Sequence, residues 1–297
     1  MIAAPPAQAR RAGGVRRPPP ACPSGVPDVN AIALELIGRD YLSYSAMSAY
    51  QKCALRFYFQ YVAALAPAFT PAPLVFGGAI HKAVEGHYRT ILETSSPPPL
   101  DDLLVAYDAA WKAESKAPVR FGKGESQNSL RDLAARMLWA FQASEVSKLD
   151  TSLLAVEEEF RAPLIPGCPD ILGRLDLLVL DAYSLRIVDF KTSRSVWGQA
   201  KIVEAAPQQL LYTELVRPLA KKLGNRPIEV EWVVITKTKK PTVQRYRLTP
   251  DPVSIARVKA MVQHVWRAIA AGHFYPCPSS MNCPTCPYAS ACRVWEG

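Results

Sequence analysis

At 297 residues and 49% apolar, the chain has ample core for one large domain or two small ones, and no apolar run long enough to span a membrane. Its net charge of +9 favours a polyanionic partner without specifying one. Seven cysteines are an odd number and no secretory signal is visible, so disulfides are not expected; a cytoplasmic protein that uses a cysteine group for a metal or cluster fits better.

Residues 1–38 are rich in Pro, Ala and Arg, among them Arg10, Arg11, Arg16 and Arg17, with no acidic residue before Asp28. Such a composition cannot bury a core, so a disordered tail is expected, its arginines free to meet DNA. Cys22 lies within it and is incidental. Order is expected from residue 39 onward. Ser43 or Ser45 can cap a helix running through Met47, Tyr50, Cys53 and Phe57. Cys53 there reads most simply as a small buried hydrophobe. Gly77 and Gly78 punctuate the chain, and a helix with His81, Glu85 and His87 follows. A single His on an amphipathic helix is ordinarily structural, although neutral imidazole is also a metal ligand. Residues 90–150 read as helical, interrupted at 95–99 and by a polar loop at 122–128; Trp111, Met137, Leu138 and Phe141 form apolar stripes.

A strand is expected over 153–161, where the acidic run Glu157, Glu158 and Glu159 is ordinarily a solvated edge. A hairpin follows, with strands 173–180 and 185–192. Asp176 lies on the first. On the second, Asp189 and Lys191 share one face while Val188 and Phe190 share the other. Both strands are apolar enough for a sheet interior, where an unpaired charge is very costly. The charges either sit solvated at the hairpin ends or hold a divalent cation between the two carboxylates, with the ammonium beside it. Pro207 then opens a helix in which Gln208 and Tyr212, four apart, lie on one face; a surface Gln beside a core Tyr would look the same.

After a strand at 228–235, Lys237, Lys239, Lys240, Arg245 and Arg247 make the densest basic stretch, suited to phosphate contacts or to a solvated edge. A helix over 252–271 leads to Cys277 and then to Cys283, Cys286 and Cys292. Three thiols at that spacing signal ligation and want a fourth. Zinc and iron–sulfur clusters both accept four cysteines, and Cys277 is the nearest candidate in sequence.

In order, Cys53, His81, Asp176, the Asp189-x-Lys191 pair, the Gln208-x-x-x-Tyr212 pair and the cysteine triplet run from Leu42 to Cys292. This set resembles the RecB-type branch of the PD-(D/E)XK nucleases, including CRISPR-associated RecB-like exonucleases with an iron–sulfur cluster. Ala54 replaces the Pro usual after the first cysteine there. The resemblance implies an α/β fold with a mixed central sheet flanked by helices, a helical insertion at 90–150 and a cysteine-rich tail at 277–297. It implies that His81, Asp176, Asp189 and the Phe190 carbonyl hold Mg²⁺ or Mn²⁺, with Glu157 or Glu159 in support. Lys191 would act on the chemistry, and Gln208 and Tyr212 would position DNA and the site. A [4Fe–4S] cluster would join Cys53 to Cys283, Cys286 and Cys292, with zinc as the alternative. Lys237, Lys239 and Lys240 would contact DNA. The implied function is metal-dependent DNA hydrolysis, exonucleolytic on single strands or ends, in repair, recombination or phage- or CRISPR-related processing. Two other readings are a CRISPR adaptation nuclease that trims spacers and a non-catalytic, DNA-end-binding subunit working with a helicase. The intact Asp176, Asp189 and Lys191 argue against the latter.

Overall fold

The computed structural model describes residues 28–115, 117–148 and 152–297. The basic stretch up to residue 27, with Cys22, lies outside the described residues. The expected tail nevertheless ends earlier than residue 38. Helix α1 (Val29–Ile37) buries Ala33 and Ile37; Asp28 caps it by accepting from the amides of Asn30 and Ala31, and Gly38 closes it at φ 67°. The Asp and Gly that bracket this apolar run are the local signal that the Pro- and Arg-rich composition masks.

Strand β1 (Tyr41–Ser43) ends on Ser43, whose hydroxyl caps α2 (Tyr44–Lys52). That helix does not continue to Phe57. Cys53 is extended, at φ −167° and ψ 111°, and separates α2 from α3 (Ala54–Phe57), which runs on into a π-helical turn, Tyr58–Val62. Next come β2 (Thr70–Pro71) and α4 (Ala72–Thr94), which passes through Gly77 and Gly78 instead of starting after them. α5 (Leu100–Glu114), the short β3 (Val119–Arg120), α6 (Gln127–Gln142) and β4 (Ser152–Ala162) follow. The hairpin is β5 (Asp170–Leu180) and β6 (Leu185–Ser193). α7 (Gln199–Lys222) starts well before Pro207, which sits inside it. β7 (Ile228–Thr236), β8 (Val243–Leu248), α8 (Pro252–Ala270) and α9 (Ala289–Arg293) complete the order.

The main sheet runs β1-β5-β6-β7-β8, with β4 also paired to β5. It is mixed: β1/β5 and β6/β7 are parallel, the other pairs antiparallel. Each face is covered. On one, α4, α5 and α6 set Ile80, Tyr88, Trp111 and Phe141 against Leu177, Val179, Val188 and Phe190. On the other, α1, α2, α7 and α8 set Met47, Leu211, Val216 and Trp266 against Leu175, Leu178 and Ile187. The helices of 90–150 therefore build one layer of the central core. Gly173 admits α7 to the second face: a Cβ there would stand 2.6 Å from the Tyr212 ring and 2.7 Å from Leu215. Among the described residues no helix is long and apolar enough to cross a membrane.

Candidate active site

The hairpin is paired only near its turn. β5 and β6 are in register from Leu177↔Val188 to Leu180↔Leu185, and beyond that they part, while β6 stays paired with β7 through Ser193. The fork opens at Asp176 on one arm and Asp189 on the other. Asp176 bridges it, because its Oδ2 accepts the Phe190 N–H at 2.7 Å, a bond β5 no longer makes through its backbone. The same oxygen lies 3.3 Å from His81 Nδ1, presented by α4.

β4 contributes the third group. Glu157 has φ 51°, a left-handed conformation that is costly for a non-glycine residue inside a strand. It reverses the alternation of side chains: Val156 packs with α4 and α6, whereas Phe160 and Ala162, an even number of residues later, pack against the opposite core. β5 switches faces at the same level, with Leu175 in one core and Leu177 in the other. The ligand atoms of His81, Glu157 and Asp176 lie within 4.8 Å of one another. They line a cavity of about 10 Å³ together with Glu85, Tyr88 and Phe190, room for a single ion or water.

Lys191 and Asp189 form the adjoining pair. Lys191 Nζ donates to Asp189 Oδ1 at 2.7 Å, and Gln209 Nε2 donates to the same oxygen at 2.8 Å. Asp189 Oδ2 is buried without a well-directed hydrogen bond, although the ammonium lies 2.5 Å away. Both Asp189 oxygens therefore face the ammonium, and the carboxylate stands at the edge of the His81–Glu157–Asp176 group. Burial acts on every group here, and the balance differs. Burial lowers the pKa of His81, but the Asp176 carboxylate and its hydrogen bond more than offset this and leave it raised. Burial raises Asp176, yet His81, Lys191 and the Phe190 amide bring it below the ordinary value. Burial and then Asp176 raise Glu157. Asp189 stays raised by burial, and Lys191 stays raised because Asp189 and Asp176 outweigh its own burial. Carboxylates with opposed shifts, set first by burial and then by neighbouring charge, mark a candidate functional site. The two carboxylates suit a hard divalent cation, and the imidazole admits transition metals as well.

The expected residues divide as follows. His81, Asp176, Asp189 and Lys191 come together, with the Phe190 backbone at the fork. Of the two glutamates left open by the sequence, Glu157 is at the site; Glu159 is exposed and pairs with Arg174. Gln208 Nε2 donates to Tyr212 Oη at 3.2 Å, and this pair borders the site without touching Asp189. Gln209, not singled out from the sequence, is the buried residue that orients Asp189. The signal was the Gln-Gln doublet; only the rotation of α7, which begins at Gln199, says which one points inward.

The other expected sites are separate. Arg245 and Arg247 both bond Glu231, which is 2% exposed, so these two cations serve the sheet. Lys239 and Lys240 are exposed on the β7–β8 turn, whereas Lys237 is half-buried against Phe76. α2 and α3 meet the C-terminal tail: Tyr50 Oη donates to the His273 carbonyl at 2.7 Å and the Leu55 amide to the Tyr275 carbonyl at 2.9 Å. Cys53, Cys286 and Cys292 pack with Leu55, Phe59 and Tyr288. Burial raises the Cys292 thiol, and Cys53, Cys286 and Cys283 add to the rise. Cys277 turns its backbone, not its thiol, to this group: its N–H lies 3.5 Å from Cys53 Sγ while its own Sγ points to the Tyr275 carbonyl. Cys168 is buried in the core, its pKa raised to about 11 by burial.

The sequence profile of the PD-(D/E)XK nuclease superfamily matches residues 41–293. Curated proteins include no match. Among solved structures, a candidate exonuclease from Eubacterium rectale superposes with a TM-score of 0.52 at 12% identity, over 86% of this chain and 90% of that one. LHK-Exo, solved in complex with dAMP, aligns over 75% of this chain and 93% of its own at 12% identity, with a TM-score of 0.27. The first likeness is one of fold. The match spans every element of the fork, from β1 to the last cysteine, and on it the chain belongs to the PD-(D/E)XK nuclease superfamily.

Proposed function

We propose that the protein is a divalent-metal-dependent DNA nuclease, acting in the cytoplasm on single strands or ends as an exonuclease in repair, recombination or CRISPR-related processing. The observation that carries this reading is the meeting of His81, Glu157 and Asp176 about a one-ion cavity beside the Asp189–Lys191 pair. His81, Glu157 and Asp176 would hold Mg²⁺ or Mn²⁺, with Asp189 Oδ2 and the Phe190 carbonyl at its edge. A divalent ion bound there polarises a phosphoryl oxygen and acidifies water. Lys191, paired with Asp189 beside the cavity, would stabilise negative charge as the phosphodiester is attacked. Gln209 fixes the Asp189 carboxylate, and Tyr212, held by Gln208, walls the site on the α7 side.

The same reading gives Cys53, Cys283, Cys286 and Cys292 a [4Fe–4S] cluster that staples the chain ends. Zinc is the alternative occupant, since it too accepts four thiolates.

The test is cleavage of end-labelled linear and circular single strands with Mg²⁺ and with Mn²⁺. Linear strands should be shortened from an end and circles spared. Asp189→Ala and Lys191→Ala should each lower the rate by about 10²–10³ or more while binding persists. Wild-type rates in either variant would sink the site, and equal loss of circles would sink the exonuclease.

A further inference from the structure

A second cavity, of about 220 Å³, lies beside the active site and takes no part in it. Its walls are Pro73 and Phe76 of α4 and Leu130 and Leu133 of α6; Arg194 and Lys237 close one side. The elements that carry the site also carry the cavity. Phe76 precedes His81 on α4 by about 7.5 Å of helix rise, and Arg194 follows Lys191 by about 10 Å of extended chain. β6 and β7 are parallel, and Arg194 and Lys237 leave them at the same edge, where the Lys237 amide donates to the Ser193 carbonyl at 2.6 Å. The carboxyl ends of parallel strands are where open α/β sheets meet their ligands.

The chemistry of this cavity is divided. Its one carboxylate, Glu125, is engaged by the Gly122 amide at 2.9 Å. Lys237 Nζ stands over the Phe76 ring, 5.0 Å from its centre. Burial and then the neighbouring Arg194 push the Lys237 pKa down. Glu125 offsets part of this, and Arg194 is exposed, so Lys237 is the charge that a further anion at this edge would relieve. Of the other walls, Pro73, Leu130 and Leu133 are aliphatic and Phe76 aromatic, and they offer a flat group no hydrogen bonds. The volume is below the roughly 300–1,000 Å³ of pockets for drug-sized ligands, and suits one planar ring.

We propose that this cavity receives one unstacked base of a DNA strand, with that nucleotide's phosphate between Arg194 and Lys237, adjoining the nucleotide at the active site. The choice of DNA rests on the nuclease reading above. The cavity adds a requirement of its own: the strand must be single there, because a base enters only after leaving its stack.

The test is fluorescence anisotropy with the full chain in EDTA. It compares a short labelled single strand, the same strand with one abasic position moved along it, and the duplex. One abasic position should weaken binding about ten-fold or more, the size of one lost base contact, and the duplex should bind more weakly than the single strand. Leu133→Trp, which fills the cavity, should bring the intact strand down to the abasic level. Arg194→Gln, on the surface, should reduce the log–log salt slope by about 0.7 whether or not the Trp variant folds. A flat abasic profile, or an unchanged slope in Arg194→Gln, overturns the proposal. Adding Mg²⁺ to the same mixtures separates it from the nuclease reading. A strand that is cut but shows a flat profile removes the cavity alone. A strand that shows the penalty but is never cut keeps the cavity and removes the nuclease.

Discussion

Glu157→Gln separates the cost of the metal-free site from its use. The carboxylates of Glu157 and Asp176 present oxygens within 4.8 Å of each other. At an effective dielectric of about 20 their repulsion at that distance is about 3.5 kcal/mol. Lys82 at 4.0 Å and Arg174 at 3.9 Å offset part of it, but both are about half exposed and screened. The raised Glu157 pKa gives the sign. An acid whose folded pKa lies above its unfolded one costs stability at neutral pH, so neutral Gln should leave the metal-free protein as stable or more so. Metal reverses the ranking. At a concentration 100 times its Kd, a bound ion adds about 2.7 kcal/mol. With affinity about 100-fold weaker, the most that losing an outer partner costs and so a floor for losing a ligand, the same concentration adds only about 0.4 kcal/mol. At about 2–4 °C per kcal/mol for a domain of this size, the Mg²⁺- or Mn²⁺-induced rise in Tm should fall from about 5–11 °C to about 1–2 °C. Differential scanning fluorimetry with and without metal reads this directly. Glu159→Gln, on the exposed neighbour, should keep the full rise. An undiminished rise in Glu157→Gln, or its loss in Glu159→Gln, would refute the assignment.

Gln209→Leu should slow cleavage by at least ten-fold, as Asp189 loses its buried donor, while Gln208→Leu acts less; equal effects would return the doublet to a packing role. Anaerobically purified protein should be brown and contain about one [4Fe–4S] cluster per chain, with Cys53→Ser bleaching it as fully as Cys283→Ser, Cys286→Ser or Cys292→Ser, while Cys168→Ser and Cys277→Ser keep the colour; zinc by metal analysis would defeat the cluster. Glu231 is held below the ordinary carboxylate value by Arg245, Arg247 and Arg186 against its own burial. Its contribution is therefore present above the unfolded pKa of about 4.3 and lost as pH falls through the lower folded one. Glu231→Gln should cost about 3–5 kcal/mol at pH 7, with the gap from wild type narrowing in acid urea melts.

Much of the molecule was legible in residue order. Alternation alone put Asp189 with Lys191 and opposite Phe190, and the hairpin, the acidic strand and the long final helix fall where periodicity set them. The helix caps at Asp28 and Gly38 were equally local, and were overlooked because composition pointed the other way. Other features have no local signature. Cys53 breaks a helix that its apolar stripe would carry through, and does so where the C-terminal tail packs against it. Glu157 and Glu159 are identical in kind and flanked alike; only the left-handed turn at Glu157, over-determined by two strands that change face together, aims one at His81 and leaves the other in solvent. Residue order says which residue types are available and on which strand face they start. Where β5 and β6 part, and so which charges share one cavity, is a tertiary matter: at that level β5 passes from one core to the other, and helices far off in sequence pack on both faces.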